Sequence, residues 1–366
     1  MNTRRFQAFL LAFLTMSAFV ASSFADDELT RFEFSEQKMG VPVSVIFYAG
    51  SPEKAQEAVD AVWKRFDELN DVLSDWDPES EIVRVCRMAG ESGESVAVSN
   101  ELRHALEESR RYCELTDGAF DATVGPIVKL WRRSRYFHEA PPKSMLESSK
   151  KNVGLDVWSL DESGVRVKKN VRFDVGGIAK GIVMDEALEI LRSMGINSAL
   201  LNASGDLRIG DPPPGKNGWT VGVASLDDEP AFYKELANVG VASSGDANRY
   251  VEIDGVRYSH IIDPRTCEPL TRRCVATVLA PTATTADALA SALCVLGPQD
   301  APAVLEKIRE EGIGDGRRLE PFEYVLFVVK PDVEPPYDGD KIEIYATEYF
   351  SGALPDKIRK NNEQTK

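Results

Sequence analysis

Short strand-patterned runs separated by glycine- and proline-rich turns recur through this chain, and few helices stand between them to carry a parallel crossover. Residues 199–202, 219–224, 249–253 and 275–280 follow the pattern, and 324–329 and 341–346 read as closing strands. From 32 to 48 the alternation predicts two strands around Met39-Gly40, with Val41, Val43, Val45 and Phe47 on one face. The helices are separate units. One spans 53–73, with Ala55, Val59, Val62, Trp63, Phe66, Leu69 and Leu73 as its apolar stripe. Ser99 caps a second, striped by Leu102, Ala105, Leu106, Ser109 and Cys113, with His104 on its solvated side. A third covers 178–194 and stops at Gly195, and a small-residue helix covers 284–296 and ends at Gly297. Short strands are expected between 157 and 167, and the polar segment 132–152, with His138 and Pro141-Pro142, reads as a connection. The expected class is α+β, antiparallel sheets with packed helices, not a doubly wound sheet.

Residues 1–25 have another character. Arg4 and Arg5 precede an apolar run from Phe9 to Val20, then small residues lead into Asp26-Asp27-Glu28. This is the pattern of a secretory signal peptide cleaved near Ala25, and the run is short for a membrane anchor. The chain is therefore expected to be exported, in a bacterial setting to the periplasm. No cysteine follows the leader to carry a lipid, and no later stretch reads as a membrane span. The domain is expected over 26–350, with a polar tail at 351–366. Without Arg4 and Arg5 the chain holds 59 acidic against 41 basic residues. Such a surface repels nucleic acid, and it repels a phosphate-bearing ligand unless a cation intervenes. The five cysteines form no CxxC pair; Cys294 reads as core, and a Cys267–Cys274 bridge is conceivable. Three isolated histidines do not indicate zinc.

Four stretches combine glycines, acids and small residues. Thr116-Asp117-Gly118-Ala119-Phe120-Asp121, running on to Gly125-Pro126, suits either an aromatic ligand held edge-on or a plain turn. Asp174-Val175-Gly176-Gly177-Ile178-Ala179-Lys180-Gly181 opens a helix, where free N–H groups favour phosphate. Lys180 stands against the helix dipole there, which suggests an anionic partner. The spacing matches neither a Walker loop nor GxGxxG. His260, between a strand and Asp263-Pro264, is either structural or a proton acceptor. Asp287 and Ser291, four apart on one helix face, offer hard oxygen ligands for magnesium, although Asp287 would equally complement the helix N-terminus.

These blocks, in this order, resemble the ApbE-like FAD:protein FMN transferases. The likeness runs from Met39-Gly40 through Asp117–Asp121, Asp174 with Ala179-Lys180-Gly181, Leu201–Asp206, and Ser259–Pro264 with Ala286–Leu289. It implies an ApbE-like, T-fold-like architecture. It implies FAD contacts at Met39, Ala119, Phe120, Asp121, Asp174, Lys180 and Ile261, with Trp76 as an aromatic against the flavin. It implies magnesium bound by the Gly177 carbonyl, Asp287 and Ser291, with His260 important for transfer. Departures fall at Ser291 (threonine is usual), Ala290 (sometimes aspartate), Ala203-Ser204 (usually glycines), Ala247 (commonly aromatic) and Cys267 (usually glycine). The implied activity splits FAD with Mg2+, attaches FMN through a phosphoester to a threonine or serine of an acceptor protein, and releases AMP. The implied acceptor is a membrane redox subunit. FAD hydrolysis to FMN and AMP, or flavin carriage without turnover, are the other activities such a site would suit.

Overall fold

The computed structural model describes residues 29–226, 230–246, 249–312, 322–330, 333 and 341–354. The expected leader, Ala247 and the tail beyond 354 lie outside the described residues. Strands β1 (Thr30–Lys38) and β2 (Val41–Ala49) are followed by helices α1 (Pro52–Leu73), α2 (Glu81–Ser92), α3 (Asn100–Leu115), α4 (Gly125–Phe137) and α5 (Lys143–Lys150). The hairpin β3 (Trp158–Asp161) and β4 (Gly164–Val167) leads to α6 (Ala179–Ser193). Then come β5 (Ala199–Ala203), β6 (Asp206–Ile209), β7 (Trp219–Val223), β8 (Phe232–Leu236) and β9 (Gly240–Gly245). Next are β10 (Tyr250–Ile253), β11 (Val256–Ser259), β12 (Ile262–Asp263), β13 (Glu268–Pro269), β14 (Cys274–Ala280) and α7 (Ala283–Glu311). The described chain closes with β15 (Glu323–Val329), β16 (Ile342–Ala346) and α8 (Glu348–Ser351).

An eight-stranded sheet, ordered β1-β2-β5-β6-β9-β14-β15-β16, forms the frame, and every pairing in it is antiparallel. The expected class therefore holds. Alternation in β2 sends Val43, Val45 and Phe47 into a core shared with α1 and α6, while Ile46 and Tyr48 pack on the opposite face. β14 is buried along its whole length, with Ala276 and Val278 toward α7 and Val275 and Leu279 toward the β7–β8 hairpin and α8.

Local chemistry sets the boundaries. Ser51, Ser80 and Ser99 each accept a backbone N–H in the first turn of α1, α2 and α3. Met39 and Gly40 both take positive φ, 51° and 75°, the conformation of a two-residue hairpin turn that matches strand twist. Ser204 and Gly205 do the same between β5 and β6, so Ser204, at φ 55°, occupies a conformation more natural to glycine. Cys267, at φ 61°, does likewise.

Three expectations need correction. The segment 132–152 is largely helical: the end of α4, a left-handed cap at His138, and α5 after Pro142. Leu146 within it joins Ile127 and Trp131 from the preceding turns of α4 in packing against Val251, Ile253 and Ile262. All five cysteines are free and buried; Cys267 lies in that cluster, whereas the Cys274 thiol meets Cys294. Finally, α7 does satisfy length and composition for a membrane span, with a mean hydropathy of 1.3. It breaks at Gly297, where the sequence pattern ended it, and 67% of the apolar window is buried within the protein.

The contact between α6 and α7 positions the site. A Cβ on Gly181 would lie 2.5 Å from the Ala283 carbonyl oxygen, so the two backbones touch with no side chain between them. Gly181→Ala is expected to cost about 3 kcal/mol through overpacking, read as a lower urea midpoint at unchanged slope.

Candidate active site

Asp174 through Gly177 forms the loop that enters α6, with the Gly176 N–H donating to Asp174 Oδ1 at 2.9 Å. In the first turn the Gly181 N–H, which has no intrahelical acceptor, donates to Asp287 Oδ2 at 3.2 Å across the seam. Lys180 Nζ lies 2.8 Å from Asp206 Oδ2 and 3.3 Å from both Asp287 oxygens. Asp287 is only 2% exposed. Burial raises its pKa to about 6, with Asp206 adding to the rise and Lys180 opposing it. Burial works against the Lys180 charge, but Asp287 and Asp206 outweigh it and hold its pKa above the ordinary lysine value. The anionic partner that the sequence demanded for Lys180 is thus present in the chain itself.

Lys180→Met is expected to destabilise the fold by about 3 kcal/mol at pH 7, because it leaves two buried carboxylates without a cation. In the variant the folded pKa of Asp287, already raised by burial, lies further above its value in the unfolded chain, so stability is retained at low pH and lost as pH rises. Thermal melts of variant and wild type should therefore converge toward pH 5.

One turn along α7, Ser291 meets the loop. A Cβ on Gly177 would stand 3.3 Å from Ser291 Oγ and 3.2 Å from the Phe120 ring, so glycine keeps a cradle open between hydroxyl, ring and backbone. Ser291 Oγ is also 3.0 Å from Ser244 Oγ. Asp287, the Ser291 hydroxyl and the Gly177 carbonyl make a hard, oxygen-only donor set that suits magnesium. Ala290 is fully buried and adds no donor. Among the described residues no three His, Cys, Asp or Glu side chains cluster as a self-sufficient metal cage. Magnesium fits such a sparse set because it keeps water and phosphate oxygens among its ligands.

His260 follows β11. Its backbone N–H donates to the Arg249 carbonyl at 2.9 Å, and Nδ1 lies 3.2 Å from the same oxygen. A carbonyl only accepts, so Nδ1 carries the hydrogen and Nε2 keeps its lone pair. Burial, then the charges of Arg249 and Arg135, lower the imidazole pKa to about 4, with a smaller contribution from Lys180. His260 is therefore neutral and able to take a proton at physiological pH.

The aromatic residues split into two groups. Phe120 is buried against Tyr112, their rings edge-on at 6.4 Å, and shares its core with Ala119; Met39 and Ile261 pack against that core. Met39 is a turn residue wedged between two core clusters. Trp76 is 73% exposed and lies under Arg132, whose guanidinium carbon is 4.1 Å from the ring centroid. Arg132 also donates to Asp75 and, at 2.9 Å, to Asp174 Oδ2, tying the Trp76 loop to the Gly177 loop. Asp121 stands apart: its carboxylate accepts from the Thr123 N–H and hydroxyl, each at 2.7 Å. It borders a hollow of about 410 Å³ with Asp117, Gly118 and Arg265.

Asp206 entered the sequence reading only as the end of the Leu201–Asp206 block, and Arg132 and Ser244 were given no role. Arg132 opens the polar segment 132–152 read as a connection, and the other two gain meaning only when β6 and β9 face α6 and α7. A larger cavity, about 580 Å³ between α1, α3 and α6, contains neither His260 nor Asp287. There Asp185 accepts from the Ala283 and Thr284 N–H groups and pairs with Arg208 at 2.7 Å, fixing the start of α7.

Fold and site together define an α+β protein in which a glycine loop, a lysine and two carboxylates meet beside an aromatic ring. The sequence pattern of the ApbE family matches residues 39–313. The chain belongs to the ApbE family. It is 33% identical over 250 residues to the FAD:protein FMN transferase of Vibrio cholerae, covering 66% of this chain and 73% of that one. The structure of the flavin transferase ApbE from Vibrio cholerae superposes with a TM-score of 0.74 at 26% identity, over 89% of this chain and all of that one. The ApbE protein of Thermotoga maritima gives 0.75 at 29% identity, with the same coverage.

Proposed function

We propose that this chain is an FAD:protein FMN transferase. Beyond family membership, the observation that carries this reading is the meeting of the Gly177 loop, Lys180, Asp287 and Ser291 at the α6–α7 seam, with His260 neutral nearby. The oxygen of an acceptor threonine or serine attacks the phosphorus of the FMN half of FAD. The P–O bond to AMP breaks, and AMP leaves with that electron pair. His260 Nε2 takes the hydroxyl proton. Lys180 holds the Asp206 and Asp287 carboxylates at the loop that receives the diphosphate. Phe120 and Trp76 supply ring faces for the flavin, and Arg132 keeps Trp76 registered against Asp174. Magnesium, held by Asp287, Ser291 and the Gly177 carbonyl, would offset the diphosphate charge.

The leader at 1–25 supports export to the periplasm and, with it, an acceptor at the membrane, such as a redox subunit. Incubation with FAD, magnesium and a candidate acceptor tests the activity. A transferase raises the acceptor mass by one FMN phosphoester and releases AMP. AMP without the mass gain identifies a hydrolase, and neither product identifies a carrier.

A further inference from the structure

We propose that the cavity of about 580 Å³ between α1, α3 and α6 is a second ligand site, which takes a neutral polyhydroxylated molecule of monosaccharide size against the Arg208 guanidinium. The inference goes beyond the transferase reading and does not depend on it.

Two arginines line this cavity, and they differ in what they hold. All three nitrogens of Arg65 are taken: Nε by Glu186 at 2.6 Å, Nη1 by Glu68 at 2.9 Å and Nη2 by Glu101 at 3.1 Å. Arg208 is only 7% exposed, and its Nε lies 2.7 Å from Asp185 Oδ1. Its Nη1 meets no acceptor, and among the described residues no hydrogen bond reaches Nη2 either. A guanidinium edge taken out of water without an acceptor costs free energy on folding. In the same wall three hydroxyls form a chain, Tyr112 to Thr285 at 2.7 Å and Thr285 to Thr282 at 2.8 Å. Two bonds use two of their three hydrogens, so one donor is left. Ile182 and Ile190 give the wall an apolar face.

Charge decides the ligand class. Each carboxylate of the lining has a guanidinium of its own: Glu108 with Arg111 at 2.9 Å, Asp185 with Arg208, Glu186 with Arg65, and Glu189 with Arg192 at 2.8 Å. The wall is balanced and offers no net field to an ion. Nor is the start of α7 a seat for phosphate. The Ala283 and Thr284 N–H groups donate to Asp185, that of Thr285 to Thr282 Oγ1 and that of Ala286 to the Thr282 carbonyl, which leaves none for an anion. What the wall lacks is an acceptor for Arg208. It also holds spare acceptors, since Glu186 and Glu189 each use one carboxylate oxygen on their arginine. A sugar hydroxyl accepts and donates at once, so neighbouring hydroxyls of one ring serve the guanidinium and the carboxylates together. The C–H face of that ring would cover Ile182 and Ile190. The volume lies within the range of small-molecule pockets, about 300–1,000 Å³.

Isothermal titration of the protein at pH 7 with D-glucose, D-ribose, myo-inositol, glycine and inorganic phosphate, one at a time, tests the site. At least one of the three polyols should bind saturably, and glycine and phosphate should give no saturable heat. Arg208→Lys keeps a cation beside Asp185 but removes the free edge, and should weaken that binding about tenfold, the scale of one hydrogen bond to a charged group. Ser193→Trp, on the exposed rim at the end of α6, should abolish binding by filling the cavity, with the melting temperature unchanged. Saturating FAD should leave polyol binding in place, because the cavity contains neither His260 nor Asp287. Absence of saturable binding by all three polyols, saturation by phosphate or glycine instead, indifference of polyol binding to either folded variant, or displacement by FAD overturns the proposal. Where Arg208→Lys does not fold, Ser193→Trp alone decides.

Discussion

His260→Ala is expected to lower FMN transfer by roughly two to four orders of magnitude, the usual contribution of a general base, while FAD still binds. A threonine hydroxyl holds its proton at neutral pH, so a group within hydrogen-bond reach must accept it as the phosphoester forms. Nδ1 of His260 is committed to the Arg249 carbonyl, which leaves the lone pair of Nε2 to accept a proton. The depressed pKa, about 4, sets the sign of the pH effect. The imidazole stays in its basic form well below the ordinary histidine value, so its acid limb should fall below pH 6.5. Flavinylated acceptor measured by mass against pH, beside FAD binding by fluorescence quenching, gives both readouts. Transfer at the wild-type rate in the alanine variant would make His260 a structural residue.

Asp287→Asn should reduce FAD cleavage by about three orders of magnitude with magnesium present, on the scale of losing one group that stabilises charge at the reacting centre. Asparagine keeps an acceptor for the Gly181 N–H, so the fold should survive the change. Alanine is a poorer probe. Asp287→Ala strands that buried N–H at the seam, which adds about 1–3 kcal/mol of destabilisation to any catalytic effect. Isothermal titration with magnesium alone should show weakened binding in Asp287→Asn, independent of turnover. Undiminished cleavage that still requires magnesium would place the metal elsewhere.

Much of this architecture was legible in the sequence because local signals and burial agree there. Ser99 stands at the expected cap of α3 and hydrophobic periodicity runs the length of α1, so the start of α3 and both ends of α1 fall within a residue of expectation. The strand β2 alternates cleanly because its two faces meet different cores. Strands such as β9, Gly240–Gly245, were not legible. Its small and polar residues owe their conformation to neighbours on both sides, β6 and β14, which a single segment does not reveal. In the site, the Gly177 loop, Lys180, Asp287, Ser291 and His260 were identified; the structure brings the first four together at the α6–α7 seam, while His260 is held by the Arg249 carbonyl. Arg132 and Asp206 were assigned no role because each does its work through a partner more than 25 residues away. Asp121 shows the reverse: its motif is conspicuous, yet its carboxylate serves as a local cap.

The bare-backbone contact at Gly181 also limits how the enzyme can open. With the Ala283 carbonyl against Gly181, and Asp287 clasping both the Gly181 amide and Lys180, the start of α6 and the start of α7 have no compliant side chain between them at that crossing through which to slide or tilt. The oxygen donors on α7 and the loop entering α6 therefore behave as one rigid jaw. A hinge that admits a ligand as long as FAD would belong to the opposite jaw, where the Arg132 guanidinium ties Trp76 to that loop and the Asp174 N–H donates to the Ala122 carbonyl just before α4.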